Sequence, residues 1–282
     1  MTQPQTQRLR PFSPMRFGRY TLVARLAQGG MGELFLAQLG GGGQGFQKLC
    51  VIKRMLPQLA HDPEFVERFT DEARVLVKLS HGSIAQVLEL GTHDDSPFLA
   101  LEYVDGKDLR RIAARARELG KPLPLGFVIQ IVGRVLEALS YAHRKRDDDG
   151  RELQLVHRDI SPPNILVSYE GEVKVIDFGL ARSRLSAART NPRSLLGKFL
   201  YMSPEQARHR PVDRRSDLYA VGLCLYELIA GAHPFESLPP AELMTRVAQP
   251  NIRPLHEVAP RCPGGLADIV MRALAPDPEA RF

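Results

Sequence analysis

Residues 156–179 constrain this chain more than any other stretch, because they read as a short loop, a tight hairpin and a second short loop with polar residues at fixed offsets. The first loop is His157-Arg158-Asp159-Ile160-Ser161-Pro162-Pro163-Asn164. Two runs follow, Ile165 to Ser168 and Val173 to Ile176, which alternate apolar and polar side chains as half-buried strands do. Tyr169-Glu170-Gly171-Glu172 supplies the turn between them, and Asp177-Phe178-Gly179 closes the stretch. A hairpin brings the far ends of its two strands together, so Asp159, Asn164 and Asp177 converge on one spot. Oxygen donors gathered in this way suit divalent cations and a phosphate. Taken singly, an Asp or Asn in a loop more often caps a turn; three in this order around a hairpin point to a site.

The pattern resembles the catalytic core of the protein kinases, and the resemblance extends from about Phe17 to the last residue. It implies a two-lobed α+β fold: a small β-rich N-lobe with one helix over residues 17–104, and a larger, mainly helical C-lobe over 105–282 that ends before the family's last helix. Residues 1–16, rich in Gln and Pro, read as a disordered lead-in. The resemblance also assigns roles: Asp159 accepts or orients the proton of the substrate hydroxyl, while Asn164 and Asp177 hold Mg2+ against the phosphates of ATP.

Upstream, residues 20–27 alternate as a strand through Tyr20, Leu22, Ala24 and Leu26, then run into Gln28-Gly29-Gly30-Met31-Gly32-Glu33-Leu34. Glycines between two strands expose backbone amides to a phosphate, because no Cβ blocks the approach. Residues 49–53 read as a buried strand ending in Lys53, and Asp62-Pro63 starts a helix with Asp as N-cap. In that helix Phe65, Phe69, Ala73 and Leu76 recur at helical spacing, with Glu72 beside their stripe and facing inward. Residues 84–90 and 98–103 read as two further strands that complete a small antiparallel sheet. By resemblance, Leu26, Ala27, Gly29, Gly32 and Leu34 belong to the loop over ATP, with Ala27 and Leu34 replacing the family's first glycine and its valine. Lys53 contacts the α- and β-phosphates and pairs with Glu72. Val51 stands where the family more often has Ala at the adenine, and Leu101 gates the back of that pocket. Glu102-Tyr103-Val104 form the hinge, Asp108 holds the ribose, and Leu166 completes the cofactor-binding set.

Downstream, residues 125–143 read as a long amphipathic helix and 144–152 as a charged, solvated loop. Residues 181–196 lack periodicity and hold Ser183, Ser186, Thr190 and Ser194 among arginines. By position this is the activation loop, in which phosphorylated Thr190 or Ser194 would pair with Arg158. Met202-Ser203-Pro204-Glu205 resembles the end of that loop. Ser216 is placed to cap a helix over 217–229 that is apolar nearly all round and therefore buried. The family pattern gives Asp217 the backbone of the catalytic loop to hold, and gives Arg281 a buried ion pair with Glu205.

Two departures from that pattern bear on chemistry. Where serine/threonine kinases carry a phosphate-facing Lys two residues after the catalytic Asp, this chain has Ser161; where they carry a Thr before the Tyr-Met-x-Pro-Glu run, it has Lys198. Hydroxyl and ammonium have exchanged places. Losing such a cation costs on the order of 10²-fold in rate, so Lys198 is expected to reach the γ-phosphate region and hydrogen-bond Ser161.

Composition closes off other classes. With 282 residues and 44% apolar content the chain is globular. A net charge of +6 and a pI near 9.4 come from basic residues scattered among acidic ones, which argues against nucleic acid. Cys50, Cys224 and Cys262 lack metal-type spacing and read as reduced thiols of a cytoplasmic protein. Residues 1–16 carry no apolar core of a signal peptide, and the longest apolar run, 218–232, is broken by Glu227 and too short to span a bilayer. The resulting expectation is a serine/threonine protein kinase most similar to the eukaryotic-like kinases of bacteria, with Pro162 fitting the Ser/Thr-type loop. Its implied partners are ATP, Mg2+, protein substrates with Ser/Thr acceptors and a second copy of itself for trans-autophosphorylation. The alternative left open is a nucleotide-binding scaffold without turnover, which Ser161 favours and which Lys53, Asp159, Asn164 and Asp177 oppose.

Overall fold

The computed structural model describes residues 12–29, 32–40, 48–178, 197 and 199–282, apart from the side chains of Arg68 and Glu72. The chain forms two compact units, residues up to Val77 with Gln86–Tyr103, and Lys78–Ala85 with Val104–Phe282. The first is a β-sheet with one helix and the second is mainly helical, as the α+β expectation requires.

The first unit is an antiparallel sheet of six strands in the order β1-β2-β3-β4-β6-β5. These are β1 (Met15–Phe17), β2 (Tyr20–Gln28), β3 (Gly32–Leu39), β4 (Lys48–Met55), β5 (Val87–His93) and β6 (Ser96–Glu102). Its core gathers Phe17, Leu22, Phe35, Ile52 and Phe98. The Phe98 ring on β6 meets Phe17 edge-on at 5.0 Å and Tyr20 at 5.9 Å, and the Tyr20 hydroxyl donates to Glu89 on β5. Strands far apart in the pairing order are thus drawn together, and the sheet curls around its aromatic core. Burial, reinforced by that bond to Glu89, pushes the Tyr20 phenol up to about 12. Helix α1 (Pro63–Val77) packs against β5 and β6 and starts as the sequence indicates, with the Asp62 carboxylate accepting from the Glu64 N–H at 3.0 Å.

In the second unit, β7 (Gly106–Asp108), β8 (Ile165–Ser168) and β9 (Val173–Val175) form a three-stranded sheet. Around it lie α2 (Leu109–Glu118), α3 (Leu125–His143), α4 (Pro204–Ala207), α5 (Arg214–Ala230), α6 (Pro240–Ala248), α7 (Leu255–Val258) and α8 (Gly264–Ala273). The α3 helix is long and apolar enough to cross a membrane by length and composition, yet Val128, Ile131, Val135, Ala138, Leu139 and Ala142 turn one face into the core against α5. The hydrophobic α5 is buried nearly all round and ends at Gly231 in the left-handed conformation. Beneath α5, Arg281 donates from two nitrogens to Glu205 at 2.8 and 2.9 Å, as anticipated, and lies 4.8 Å over the Tyr219 ring.

Four details differ from the sequence reading. Met15 and Arg16, read with the N-terminal tail, pair with Leu22 and Thr21 in β1. Ile84 and Ala85, read as the start of a strand, bond instead to Val175, which leaves β5 to begin at Val87. All of β9 is buried, and Lys174 is only 8% exposed where alternation predicted a half-buried strand. Ser216 does not cap α5. Asp213 does, accepting from the Arg215 N–H at 2.8 Å, and Ser216 lies inside the first turn with its hydroxyl donating to Glu205.

Burial pushes the Glu205 carboxyl up, but the bonds from Arg281 and Ser216 outweigh it and hold the group below the ordinary carboxylate range. Arg281→Met should therefore lower unfolding stability by about 3–5 kcal/mol in urea titrations, and the double variant with Glu205→Leu should recover most of it. The pair's contribution is present above the unfolded-state Glu pKa. It should fade as pH falls below about 4.5, and Arg281→Met should flatten that acid limb.

Candidate functional site

One buried carboxylate organises the loop at 157–159. Asp217, in the first turn of α5 and fully buried, accepts from the backbone N–H groups of His157 and Arg158, both at 2.8 Å, and lies 2.8 Å from Nε2 of His143. Arg158 takes a left-handed backbone (φ 64°), which costs a residue with a Cβ about 1–2 kcal/mol. The Asp217 bond and a second from Gln206 Nε2 to the Arg158 carbonyl, at 3.0 Å, hold it there. His157 then couples the two short loops. Its Nδ1 accepts from the Asp159 N–H at 3.2 Å, so Nε2 carries the proton and donates to the Ile176 carbonyl at 3.0 Å. The ring meets Phe178 edge-on at 4.5 Å, and Asp177, between these two anchors, is also left-handed (φ 62°).

Around Asp159 the chain folds back on itself. Asn164 Nδ2 donates to the Asp159 carbonyl at 2.7 Å, and the Ser161 hydroxyl approaches the same oxygen at 3.4 Å. A turn bond from Asn164 N–H to Ser161 O (2.9 Å) and one from Ile176 N–H to Asn164 O (3.0 Å) complete the knot. The structure thus brings together Asp159, Ser161 and Asn164, with Asp177 one residue beyond the last bond. With its Nδ2 engaged, Asn164 has its amide oxygen left to offer, so the donors from Asn164, Asp159 and Asp177 are all oxygen.

Asp108 and Leu166 are cross-strand partners in β7 and β8. The Asp108 carboxylate also caps α2, accepting from the Arg111 N–H at 3.0 Å, and lies 3.2 Å from Nε of the Arg111 guanidinium as an ion pair. A Cβ on Gly106 would sit 2.0 Å from the Val167 carbonyl, so only glycine allows that strand to approach β8. Val104 begins the longer of this unit's two segments and is half-buried.

The first unit holds the rest of the predicted set. Ala27, Leu34 and Lys53 form one cross-strand row over β2, β3 and β4, with Val51 two residues before Lys53 and Leu26 beside Ala27, 51% exposed. The Gly29 N–H closes the hairpin on the Gly32 carbonyl at 2.9 Å, and a Cβ on Gly32 would lie 2.5 Å from the Arg54 carbonyl. The Glu102 carboxylate accepts from the Gln86 N–H at 3.0 Å. Glu72 lies in α1 with its side chain outside the described residues. Gly179, the 181–196 segment with Ser183, Ser186, Thr190 and Ser194, and Lys198 also lie outside them.

Two contributors were not identified from sequence. His143 shares Asp217 with the loop, and no spacing links the end of α3 to the start of α5. Gln206 was legible in principle: Ser203-Pro204-Glu205-Gln206 is a capping box, in which the Ser203 N–H donates to the Gln206 amide oxygen at 3.0 Å. That bond frees the Gln206 amide nitrogen for Arg158.

The profile of the protein kinase domain matches residues 20–282. Over 269 residues the chain is 40% identical to the tyrosine-protein kinase MasK of Myxococcus xanthus, covering 94% of this chain and 41% of that one. It is 33% identical over 266 residues to the serine/threonine-protein kinase PrkC of Bacillus subtilis, covering 94% and 38%. With the serine/threonine-protein kinase PknB of Mycobacterium leprae the identity is 34% over 269 residues, covering 94% and 41%. The crystal structure of the PknI kinase domain from M. tuberculosis superposes with a TM-score of 0.69 at 31% identity, covering 95% of this chain and 92% of that one. The chain spans about two fifths of the length of the curated relatives it matches.

Asp217→Ala leaves two buried backbone donors unmatched and should lower stability by about 2–5 kcal/mol in urea titrations. His143→Ala, which leaves both of those bonds in place, should cost less than half as much.

Proposed function

The chain belongs to the protein kinase domain family, and we propose that the whole protein transfers the γ-phosphoryl of Mg-ATP to serine and threonine hydroxyls of proteins. The observation that carries this reading is the knot of Asp159, Ser161 and Asn164, tied through Ile176 and His157 to Asp177. Members of the family use ATP with a divalent metal, and the all-oxygen donor set of Asn164 and Asp177 fits a hard cation such as Mg2+. When bound, the metal neutralises charge on the phosphates that leave and transfer.

The chain's own residues supply position and charge. Asp159 takes the acceptor hydroxyl as a hydrogen-bond donor and orients it for attack; its backbone is fixed by His157 and Asn164, so the carboxylate is held ready before substrate arrives. Lys53, with Glu72 as its partner, neutralises the α- and β-phosphates. Ala27, Gly29, Gly32 and Leu34 cover the nucleotide, while Val51, Glu102, Val104, Asp108 and Leu166 seat its adenosine. Lys198 supplies the cation that position 161 lacks. The free thiols Cys50, Cys224 and Cys262 are in keeping with a reducing cytoplasm, and trans-autophosphorylation between copies, at Thr190 or Ser194, accounts for activation. The name of the Myxococcus relative raises tyrosine as the rival acceptor.

Transfer from γ-labelled ATP with Mg2+, to the chain itself and to a generic basic protein, tests the reading. The wild type should incorporate label as phosphoserine and phosphothreonine. Asp159→Asn and Lys198→Ala should each lose about 10²-fold or more while still binding ATP. Label found only as phosphotyrosine would reassign the acceptor. A wild type that binds ATP without incorporation would make the chain a scaffold, and full activity in Lys198→Ala would end the proposed exchange with Ser161.

A further inference from the structure

The capping box of α4 accounts for only half of what Gln206 does. Its amide oxygen accepts from the Ser203 N–H and from the Ser203 hydroxyl, both at 3.0 Å. A backbone N–H can only donate, so it is the oxygen that must face Ser203. The amide nitrogen is thereby turned the other way, where it donates to the Arg158 carbonyl at 3.0 Å. A glutamate would close the same box, since its carboxylate accepts from Ser203 equally well. Ionised, it would have no donor for Arg158. The second bond is what calls for glutamine at this position.

That bond falls on the peptide group that carries Asp159. A peptide unit is one rigid plane, so the Arg158 carbonyl and the Asp159 N–H turn together. Gln206 holds the carbonyl edge, and the N–H edge donates to Nδ1 of His157 at 3.2 Å. Rotation of this plane changes ψ of Arg158 and φ of Asp159, and with them the direction in which the Asp159 side chain leaves the backbone. Arg158 is already left-handed (φ 64°), a conformation that persists only where surrounding bonds over-determine it. The base from which Gln206 reaches across is itself fixed: Ser203 is fully buried, and the neighbouring Glu205 is held by Arg281 at 2.8 and 2.9 Å.

We propose that Gln206 is a positioning residue for Asp159, locking the 158–159 peptide plane from its carbonyl side while the same side chain caps α4. It acts through the backbone of the residue that orients the acceptor hydroxyl. The kinetic consequence rests on the transfer reaction proposed above, whereas the lock itself does not.

Two substitutions separate this role from a purely structural one. Gln206→Glu keeps the capping box, so its melting temperature should match the wild type, and yet hydrogen exchange at the Asp159 amide should quicken about tenfold. Gln206→Met removes the bond without adding charge and should show the same quickened exchange, with a lower melting temperature because the box is lost as well. In the labelled-ATP assay both variants should lose about tenfold in kcat, with the KM for ATP within about twofold of the wild type. Adding Gln206→Glu to Asp159→Asn should cost no further activity, because the carboxylate being positioned is then gone. Unchanged exchange in both variants, a loss confined to KM, or losses that multiply in the double variant would overturn the inference. A wild type without transfer would end the kinase reading alone, and the exchange measurement would still decide the lock.

Discussion

The arrangement of the 157–164 loop depends on the burial of one charge. Asp217 is wholly removed from water, and an isolated carboxylate there would be costly enough to unfold its surroundings. It is tolerated because two backbone N–H groups and an imidazole converge on it. The same bonds fix the backbone at 157 and 158, and the fixed backbone at 158 is what permits a left-handed arginine next to Asp159. Solvation of one side chain and positioning of the next are a single requirement. The carboxylate demands donors, and the donors are the loop.

The first turn of α5 carries a second such requirement one residue earlier. Ser216 gives its hydroxyl to Glu205, which Arg281 also holds, while Asp217 on the adjacent position holds the 157–158 backbone. Gln206, next to Glu205, reaches the Arg158 carbonyl. Two neighbouring positions at the start of one buried helix therefore connect three chain segments: the 157–164 loop, the α4 turn and the residues around 281. Because α5 is apolar nearly all round, its own position is set by core packing rather than by surface balance. Rigidity passes from the core to the loop through short polar contacts.

Much of this was legible beforehand where the signal was local. Asp62-Pro63 starts α1, residues 125–143 are α3, and the hairpin from Ile165 falls where alternation and turn residues place it. The family resemblance supplied what local pattern does not, namely the Glu205–Arg281 pair and the role of Asp217. Failures came where tertiary contacts override a local rule. Ser216 has the chemistry of a helix cap, but Asp213 begins the helix and the Ser hydroxyl is drawn to a buried carboxylate. Lys174 has the charge of a solvent-facing strand residue, but it lies in β9, all of whose residues are buried. His143 is terminal and polar on an amphipathic helix, and only the folded chain shows which acid it serves.

Position 161 shows how a missing charge reshapes its surroundings. A serine there is 8% exposed and turns its hydroxyl to the Asp159 carbonyl, the same oxygen that receives Asn164. An ammonium on a four-carbon stem at that position would reach beyond the loop toward a transferring phosphate. A hydroxyl on one carbon folds back onto the loop instead. The serine thus replaces the reach of an ammonium with a short contact to the Asp159 backbone. On the proposed mechanism, positioning survives that change, whereas stabilisation by charge needs a cation from another segment. The proposed mechanism gives that part to Lys198.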